Sequence, residues 1–327
     1  MPSLTEIGTS LFAAPLIQHN SILMQTNHEL PANVVYHHMC AVVETKLRER
    51  PQPVAETIRI VDMGCGSGRL MGLLQMRLAK EFPSLHFEIY GFDVMESKVQ
   101  PESFFHDCLD FLSSVDPKID WLKRVSVISV AEQWPFADSS VDFVLSNQVL
   151  EHVNDHQRVF AEIARVLKPK GVSAHIFPLR SCYQELHVKL PFAHWVRPDN
   201  TLVSYIKFCS LLGMGTWKRY RKTQSSVSLD VFARMNRDFI AFDTNYIDEK
   251  DILALSKQAR LLPSYEFTEC LYVNKFRSIF ARPLVYNLRP PLSIWAVLRF
   301  KLLKRVSGIT LTLSKDNTYV NHGFHTA

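Results

Sequence analysis

The residues with the clearest chemical signature are Asp62, Gly64, Gly66 and Gly68, within the stretch VDMGCGSGRL at 61–70. Glycine has no Cβ, so its backbone can turn sharply and lie directly against a ligand. These glycines follow a hydrophobic run and open an amphipathic stretch, where a strand would hand over to a helix with unpaired N–H groups. Asp93 ends a second hydrophobic run further along. An acid in that place can accept hydrogen bonds from both hydroxyls of a ribose, so the expected ligand carries one. The spacing argues against a nicotinamide dinucleotide, whose G-x-G-x-x-G fingerprint would need a glycine where Arg69 stands. The plainer alternative is that the glycines only turn the chain and Asp93 only caps.

The elements that must position these residues can be read from periodicity. Residues 58–63 (IRIVDM), 87–92 (FEIYGF), 125–130 (VSVISV), 141–145 (VDFVL) and 172–177 (VSAHIF) read as buried strands. Leu70, Leu73, Leu74 and Leu78 repeat at helical spacing after the glycines, as do Val159, Phe160, Ile163, Val166 and Leu167 before Pro169-Lys170-Gly171. Val35, Met39, Val42, Val43 and Leu47 place a helix near the start. Strands alternating with helices predict a parallel sheet covered on both faces. The alternation stops from Leu179 to Asp243, where aromatic, His and Arg residues suggest an inserted cap. It resumes with a helix at 249–261 capped by Asp248, a strand near Tyr265–Phe267, a helical stretch and a last strand at 309–313.

The pattern D-x-G-x-G-x-G at 62–68 resembles the first motif of the class I S-adenosylmethionine-dependent methyltransferases, of the type 11-like domain. Asp93 matches their ribose-binding acid. AEQWPFADSSVDFVLSNQVLEHV (131–153) is similar to their loop and fourth strand, and RVLKPKGV (165–172) to the turn before their fifth. The resemblance covers about residues 55–180. It implies an α/β, Rossmann-like fold with a mostly parallel seven-stranded sheet, helices on both faces, and a helical cap inserted after strand five. It also implies S-adenosyl-L-methionine as cofactor. Gly64, Gly66 and Gly68 would approach its methionine part and ribose, and Asp62 would fix the loop. Ala131 and Glu132 would lie beside the adenine, and Asn147 would meet the methionine end through its carbonyl. Val130 departs from the family, where an aspartate commonly bonds the adenine amino group.

Methyl transfer is an in-line displacement, so alignment of acceptor and methyl group is the main task, and a hydroxyl acceptor benefits from a base. The candidates are His152, His187 and His194. No metal is expected, because no His, Asp and Glu residues stand at ligand spacing in the sequence. CYQELHVKLPFAHWVRP (182–198) resembles a segment of bacterial methyltransferases associated with glycan synthesis. On that resemblance Glu185, His187, Pro191, Phe192, His194 and Trp195 line or roof the acceptor pocket, with Glu185, Phe192 and Trp195 as substrate-binding residues. Aromatic faces suit a sugar ring, and His and Glu suit its hydroxyls. The alternative for each histidine is a packed residue bonded to backbone.

The chain has 327 residues, 47% hydrophobic and 21% charged, as in a globular protein. Six scattered cysteines without a C-x-x-C pair, and no basic start followed by a long apolar segment, lead to an expected cytoplasmic location. Residues 1–180 carry 16 Lys and Arg against 21 Asp and Glu, whereas residues 181–327 carry 21 against 11. A basic half can meet something anionic. WKRYRK (217–222) could hold a phosphate, and residues 289–308 could lie on an anionic membrane with Trp295 and Phe300 buried, although a crossover helix before the final strand is the preferred reading. No RNA-binding module or Asn-Pro-Pro-Tyr motif stands in the chain, so nucleic acid is not an expected partner.

The sequence therefore divides into an N-terminal helical segment (1–54), a cofactor-binding core (55–180), a substrate-binding cap (181–245) and the C-terminal part of the fold (246–327). The expected activity is O-methylation of a sugar or of a lipid- or phosphate-linked glycan hydroxyl. The alternatives are methylation of a small hydrophobic metabolite such as a quinone-like phenol or lipid, and a non-catalytic cofactor-binding protein.

Overall fold

The computed structural model describes residues 33–50, 57–96, 103–285 and 294–315. The first helix is α1 (Val34–Glu49), whose N-terminus is capped by the side chain of Asn33 accepting from Val35 N–H at 3.0 Å. It is followed by β1 (Thr57–Met63), α2 (Arg69–Glu81), β2 (His86–Val94), α3 (Phe104–Val115), β3 (Val125–Ile128), β4 (Val141–Asn147), α4 (His156–Val166) and β5 (Leu167–Phe177). Next come a hairpin of β6 (Gln184–Glu185) and β7 (Leu190–Pro191), and helices α5 (Asn200–Leu211), α6 (Trp217–Thr223) and α7 (Leu229–Phe242). The chain then returns to the sheet through α8 (Glu249–Gln258), β8 (Leu261–Ser264), α9 (Thr268–Ile279), α10 (Ile294–Leu303) and β9 (Ile309–Lys315).

The seven long-range strands form one sheet in the order β3-β2-β1-β4-β5-β9-β8. β1 to β5 are parallel and β9 runs antiparallel to β5 and β8. The strand order reverses between β1 and β4, and a ligand crevice lies beyond the carboxyl ends of strands at such a switch. Strands covered on both faces explain the near-continuous apolar runs: Ile58 and Ile60 pack with α1, α2 and α9, while Val61 and Met63 pack with α4 and α8. Fully buried side chains such as Leu74, Phe143 and Phe160 each contribute about 1.5–3 kcal/mol through burial. Between β5 and α8 the chain leaves the sheet and builds a separate apolar cluster, with Leu202, Ile206, Trp217, Tyr220 and Phe232 at its centre. All six cysteines are buried thiols.

Two sequence expectations need correction. Strand five starts at Leu167, directly after α4, and the irregular pairing between Val141 and Phe143 accommodates Pro169 to Gly171. The strand expected at 265–267 lies at Leu261–Ser264 instead. Pro263 is tolerated there because β8 is the outer strand of the sheet. Tyr265 stacks on Phe300 at 4.8 Å and Phe267 enters the core. The interleaved aromatics of 217–222 are one face of α6: Trp217 and Tyr220 pack against Phe232 at 5.1 Å, and the basic side chains between them are exposed.

Within the basic stretch at 289–308, residues 294–308 are α10 and the turn into β9, held against the fold by Arg299 to Glu269 (2.7 Å) and the stacked Phe300. Residues 289–293 and the side chain of Trp295 lie outside the described residues. Among the described residues no helix is long and apolar enough to cross a membrane.

Candidate active site

The glycine loop sits over the end of β2. Gly64 N–H and Cys65 N–H donate to the Phe92 carbonyl at 2.8 and 3.1 Å, and Gly66 N–H donates to Asp93 Oδ2 at 3.0 Å. The other oxygen, Oδ1, accepts from Val94 N–H at 2.9 Å. Each carboxylate oxygen keeps a second lone pair, so Asp93 can still receive two hydroxyls. Burial pushes its carboxyl up, opposed by the two N–H bonds; burial and the Asp93 charge push the Asp62 carboxyl well up.

The glycines prove necessary for two reasons, and the second was not foreseen. Gly64 and Gly68 have φ of +72° and +70°, which L side chains resist. A Cβ on Gly64 would also lie 2.5 Å from Val149 Cγ2, and one on Gly68 would lie 2.8 Å from Cys108 Sγ. The protein's own packing thus forbids side chains there, independently of any ligand.

On the expected adenine side, Ala131 and Glu132 are exposed beyond β3. Glu132 folds back to accept from Ser129 N–H at 3.1 Å. Where Val130 replaces the usual acid, Glu96 takes its backbone N–H at 3.0 Å and the Ser129 hydroxyl at 2.6 Å. Glu96 was missed in the sequence, although an acid three residues beyond Asp93 is a visible signal.

Beyond β4, the Oδ1 of Asn147 is buried with no hydrogen-bond partner among the described residues. Gln148 adopts φ of +56° and anchors its N–H on Ile176 O at 2.8 Å, which turns the chain into a short 3-10 segment, Leu150–His152. His152 Nδ1–H donates to the Asp243 carbonyl at 2.6 Å, and burial pushes its pKa down to about 4. Glu151 beside it is 1% exposed, and neither carboxylate oxygen has a hydrogen-bond partner among the described residues. Burial pushes its carboxyl up to about 7.

The cap supplies the rest. His187 lies in the β6–β7 hairpin with its ring 5.1 Å from that of His152, and Phe239 packs on both, at 4.8 Å from His187 and 5.8 Å from His152. Its Nδ1 is 2.6 Å from Glu185 Oε1. Burial lowers the His187 pKa, but the bond and charge of Glu185 outweigh that and hold it above the ordinary value. Glu185 is buried and held in place: Tyr246 O–H donates to Oε1 at 2.9 Å and Val188 N–H to Oε2 at 2.7 Å. It therefore orients His187.

His194 stands on the far side of Tyr246, 5.0 Å ring to ring, with Nε2–H donating to Arg180 O at 3.1 Å. Trp195 Nε1–H donates to the same carbonyl at 2.7 Å. Phe192 and Trp195 are exposed and form, with Tyr183, a ring cluster at 5.1–6.0 Å. The fold thus brings His152 and His187 together and sets His194 apart. It also gathers Glu151, His152 and His187, with one donor atom of each within 4.8 Å of the others, a grouping that sequence spacing did not suggest. Tyr246 and Glu151 were missed. Only Glu151 left a signal, as the acid of the LEHV segment at 150–153.

Residues 61–174 match the family described as "Methyltransferase domain". That segment is similar to a methyltransferase domain, and it lies within the parallel, Rossmann-like part of the seven-stranded sheet. Malonyl-[acyl-carrier protein] O-methyltransferase of Methylovorus sp. (strain MP688) is 24% identical over 180 residues, 54% of this chain and 55% of that protein. The protein of the same name from Methylococcus capsulatus (strain ATCC 33009 / NCIMB 11132 / Bath) is 32% identical over 113 residues, 35% of this chain and 34% of that protein. The chain spans about half, or a third, of the curated relatives it matches. Among solved structures, PKMT2 from Rickettsia typhi in complex with AdoHcy has a TM-score of 0.48 and 12% identity, covering 88% of this chain and 55% of that one.

Proposed function

We propose that the chain is an S-adenosylmethionine-dependent O-methyltransferase acting on a hydroxyl of a sugar or of a lipid- or phosphate-linked glycan. The observation that carries the cofactor is the joint between Gly66 N–H and the Asp93 carboxylate at the sheet's switch point, within a methyltransferase domain. The residues present fit the group: a loop without side chains, an acid with spare lone pairs for a ribose, and an orphaned buried oxygen on Asn147. S-adenosylmethionine, when bound, supplies an electrophilic methyl group. The protein's part is to hold Asp93 and the loop in register and to present an acceptor oxygen beyond β4, which is alignment before anything else.

The acceptor reading rests on two features. A cluster of buried Glu151 with half-buried His152 and His187 forms where the chain leaves β4 and meets the cap hairpin, and such a cluster helps an oxygen that must lose a proton. The exposed rings of Tyr183, Phe192 and Trp195 offer apolar faces of the size of a sugar ring. A second reading is favoured by the relatives' names: an acceptor carried as malonyl-[acyl-carrier protein]. A carboxyl acceptor is already ionised at neutral pH and would leave the histidine cluster without a task, so the hydroxyl is preferred.

Methyl-labelled S-adenosylmethionine, purified protein and fractionated cell extract test the proposal, with malonyl-[acyl-carrier protein] assayed in parallel. Label in polysaccharide or lipid-linked saccharide supports it. Label only in the carrier protein, or only in small apolar metabolites, replaces the acceptor. Cofactor binding with no label anywhere would make the chain a non-catalytic binding protein.

A further inference from the structure

We propose that Glu151, His152 and His187 form a binding site for one divalent transition-metal ion of the zinc class. One donor atom from each lies within 4.8 Å of the other two, although Glu151 and His152 come from the end of β4 and His187 from the cap hairpin. Two imidazoles and one carboxylate are the donor set of three-ligand zinc sites and of two-histidine, one-carboxylate iron sites, and each leaves a coordination position open. Two nitrogen donors disfavour magnesium and calcium, which take oxygen.

The surroundings are arranged as metal-bound histidines require. The Asp243 carbonyl can only accept, so the proton of His152 sits on Nδ1 and the lone pair on Nε2. The Glu185 carboxylate fixes the same tautomer in His187, and it is itself held by Tyr246 O–H and Val188 N–H. Both rings therefore offer Nε2 with Nδ1–H tied to an oxygen, the outer-shell pattern that orients metal ligands. Glu151 supplies the independent observation. It is buried, and both its carboxylate oxygens lack a hydrogen-bond partner among the described residues. A dication balances the two buried carboxylates, Glu151 and Glu185, with both histidines neutral. Donors in a tetrahedral zinc site are about 3.3 Å apart, as bonds of about 2.0–2.1 Å require, so filling the site draws these side chains inward by a rotamer adjustment.

The use of the site rests on the methyltransferase reading. An acceptor hydroxyl taking the open position would form a metal–oxygen bond and release its proton to water more readily than a free alcohol does. Metal binding itself does not depend on that reading.

The test uses the full chain without a histidine tag, stripped by chelator dialysis and titrated with Zn²⁺ against a chromophoric chelator. The expected result is one ion per chain with sub-micromolar affinity, weakened at least a hundredfold by Glu151→Gln and by His187→Asn, and unchanged by His106→Gln on the exposed face of α3. Tyr246→Phe, which touches no ligand atom directly, is expected to weaken binding about tenfold. In case the ligand variants unfold, Co²⁺ added to the wild type reports the site alone, through visible absorption bands of a nitrogen- and oxygen-ligated ion. No stoichiometric Zn²⁺ binding by the wild type, or equal binding by Glu151→Gln and His187→Asn, overturns the proposal. S-adenosylhomocysteine binding and methyl transfer are measured on the same samples. A chain that binds zinc without transferring methyl groups upholds the site and overturns only its use.

Discussion

Glu185 Oε1 and His187 Nδ1, two residues apart in the cap hairpin, lie 2.6 Å from each other, and the same oxygen takes the Tyr246 hydroxyl. The hairpin thereby fixes which nitrogen of His187 faces His152 and Glu151. Replacing Glu185 by Gln keeps the volume and removes the charge. Methyl transfer is expected to fall by about 10- to 100-fold, in line with the loss of an outer-shell orienting group. S-adenosylhomocysteine affinity should stay within a factor of two, because Glu185 is not among the residues of the glycine loop. Turnover and calorimetry on the same variant check this, and a fall in cofactor affinity equal to the fall in turnover would show that Glu185 supports the whole fold instead.

Gly64 faces the protein as well as the ligand. Gly64→Ala adds a left-handed alanine, costing about 1–2 kcal/mol, and a clash with Val149 of about 1–3 kcal/mol. Urea denaturation should show a loss of about 2–5 kcal/mol for the single variant. Gly64→Ala combined with Val149→Ala should recover the clash and leave the torsional cost. Strict additivity of the two single losses would contradict the contact.

The protein should lose stability in acid through three buried histidines. Burial pushes His38 and His175 down to about 3 and His152 to about 4, so each is neutral when folded and protonates at about 6.5 when unfolded. Between those values the unfolded chain binds more protons, so stability falls as pH drops from about 6.5 towards 4, by about 1.4 kcal/mol per pH unit for each residue. His38 is bonded to Thr310 Oγ1 at 2.9 Å through Nε2, which a Gln amide can reach. His38→Gln should remove one residue's share of that slope in denaturation curves at pH 4 to 7, and an unchanged slope would contradict the assignment.

Glu151 acts with the opposite sign. Its folded carboxyl is raised to about 7 by burial, so in metal-free protein stability falls as pH rises from about 4.5 to 7. Glu151→Gln should abolish that decline. Chelator-treated samples of both forms, melted at pH 5 and pH 8, measure it, and an equal pH effect in both would place the titrating group elsewhere.

The sequence made the cofactor loop readable because everything needed there is local. Asp62, three glycines and Asp93 near the end of the next strand are spaced by the geometry of one β-α-β unit. It concealed what long-range packing decides. Val149 crowds Gly64 from another strand end, and Tyr246 reaches Glu185 across 61 residues of chain. The partners of Glu185, His187 apart, are likewise set by the fold and have no counterpart in the local pattern. Pro263 can sit in the strand at 261–264 because that strand is at the sheet's edge, and edge position is a property of the sheet and not of the segment. The three-residue donor cluster had no ligand spacing because one of its members, His187, comes from the cap.

The central claim is that Asp93 and the glycine loop hold S-adenosylmethionine, and calorimetric titration of S-adenosylhomocysteine tests it most directly. The wild type should bind one molecule per chain. Asp93→Asn should bind about a hundredfold more weakly, as expected for losing charge-assisted hydrogen bonds of about 1.5–3 kcal/mol each. No binding by a folded wild type, or equal binding by Asp93→Asn, would contradict the account.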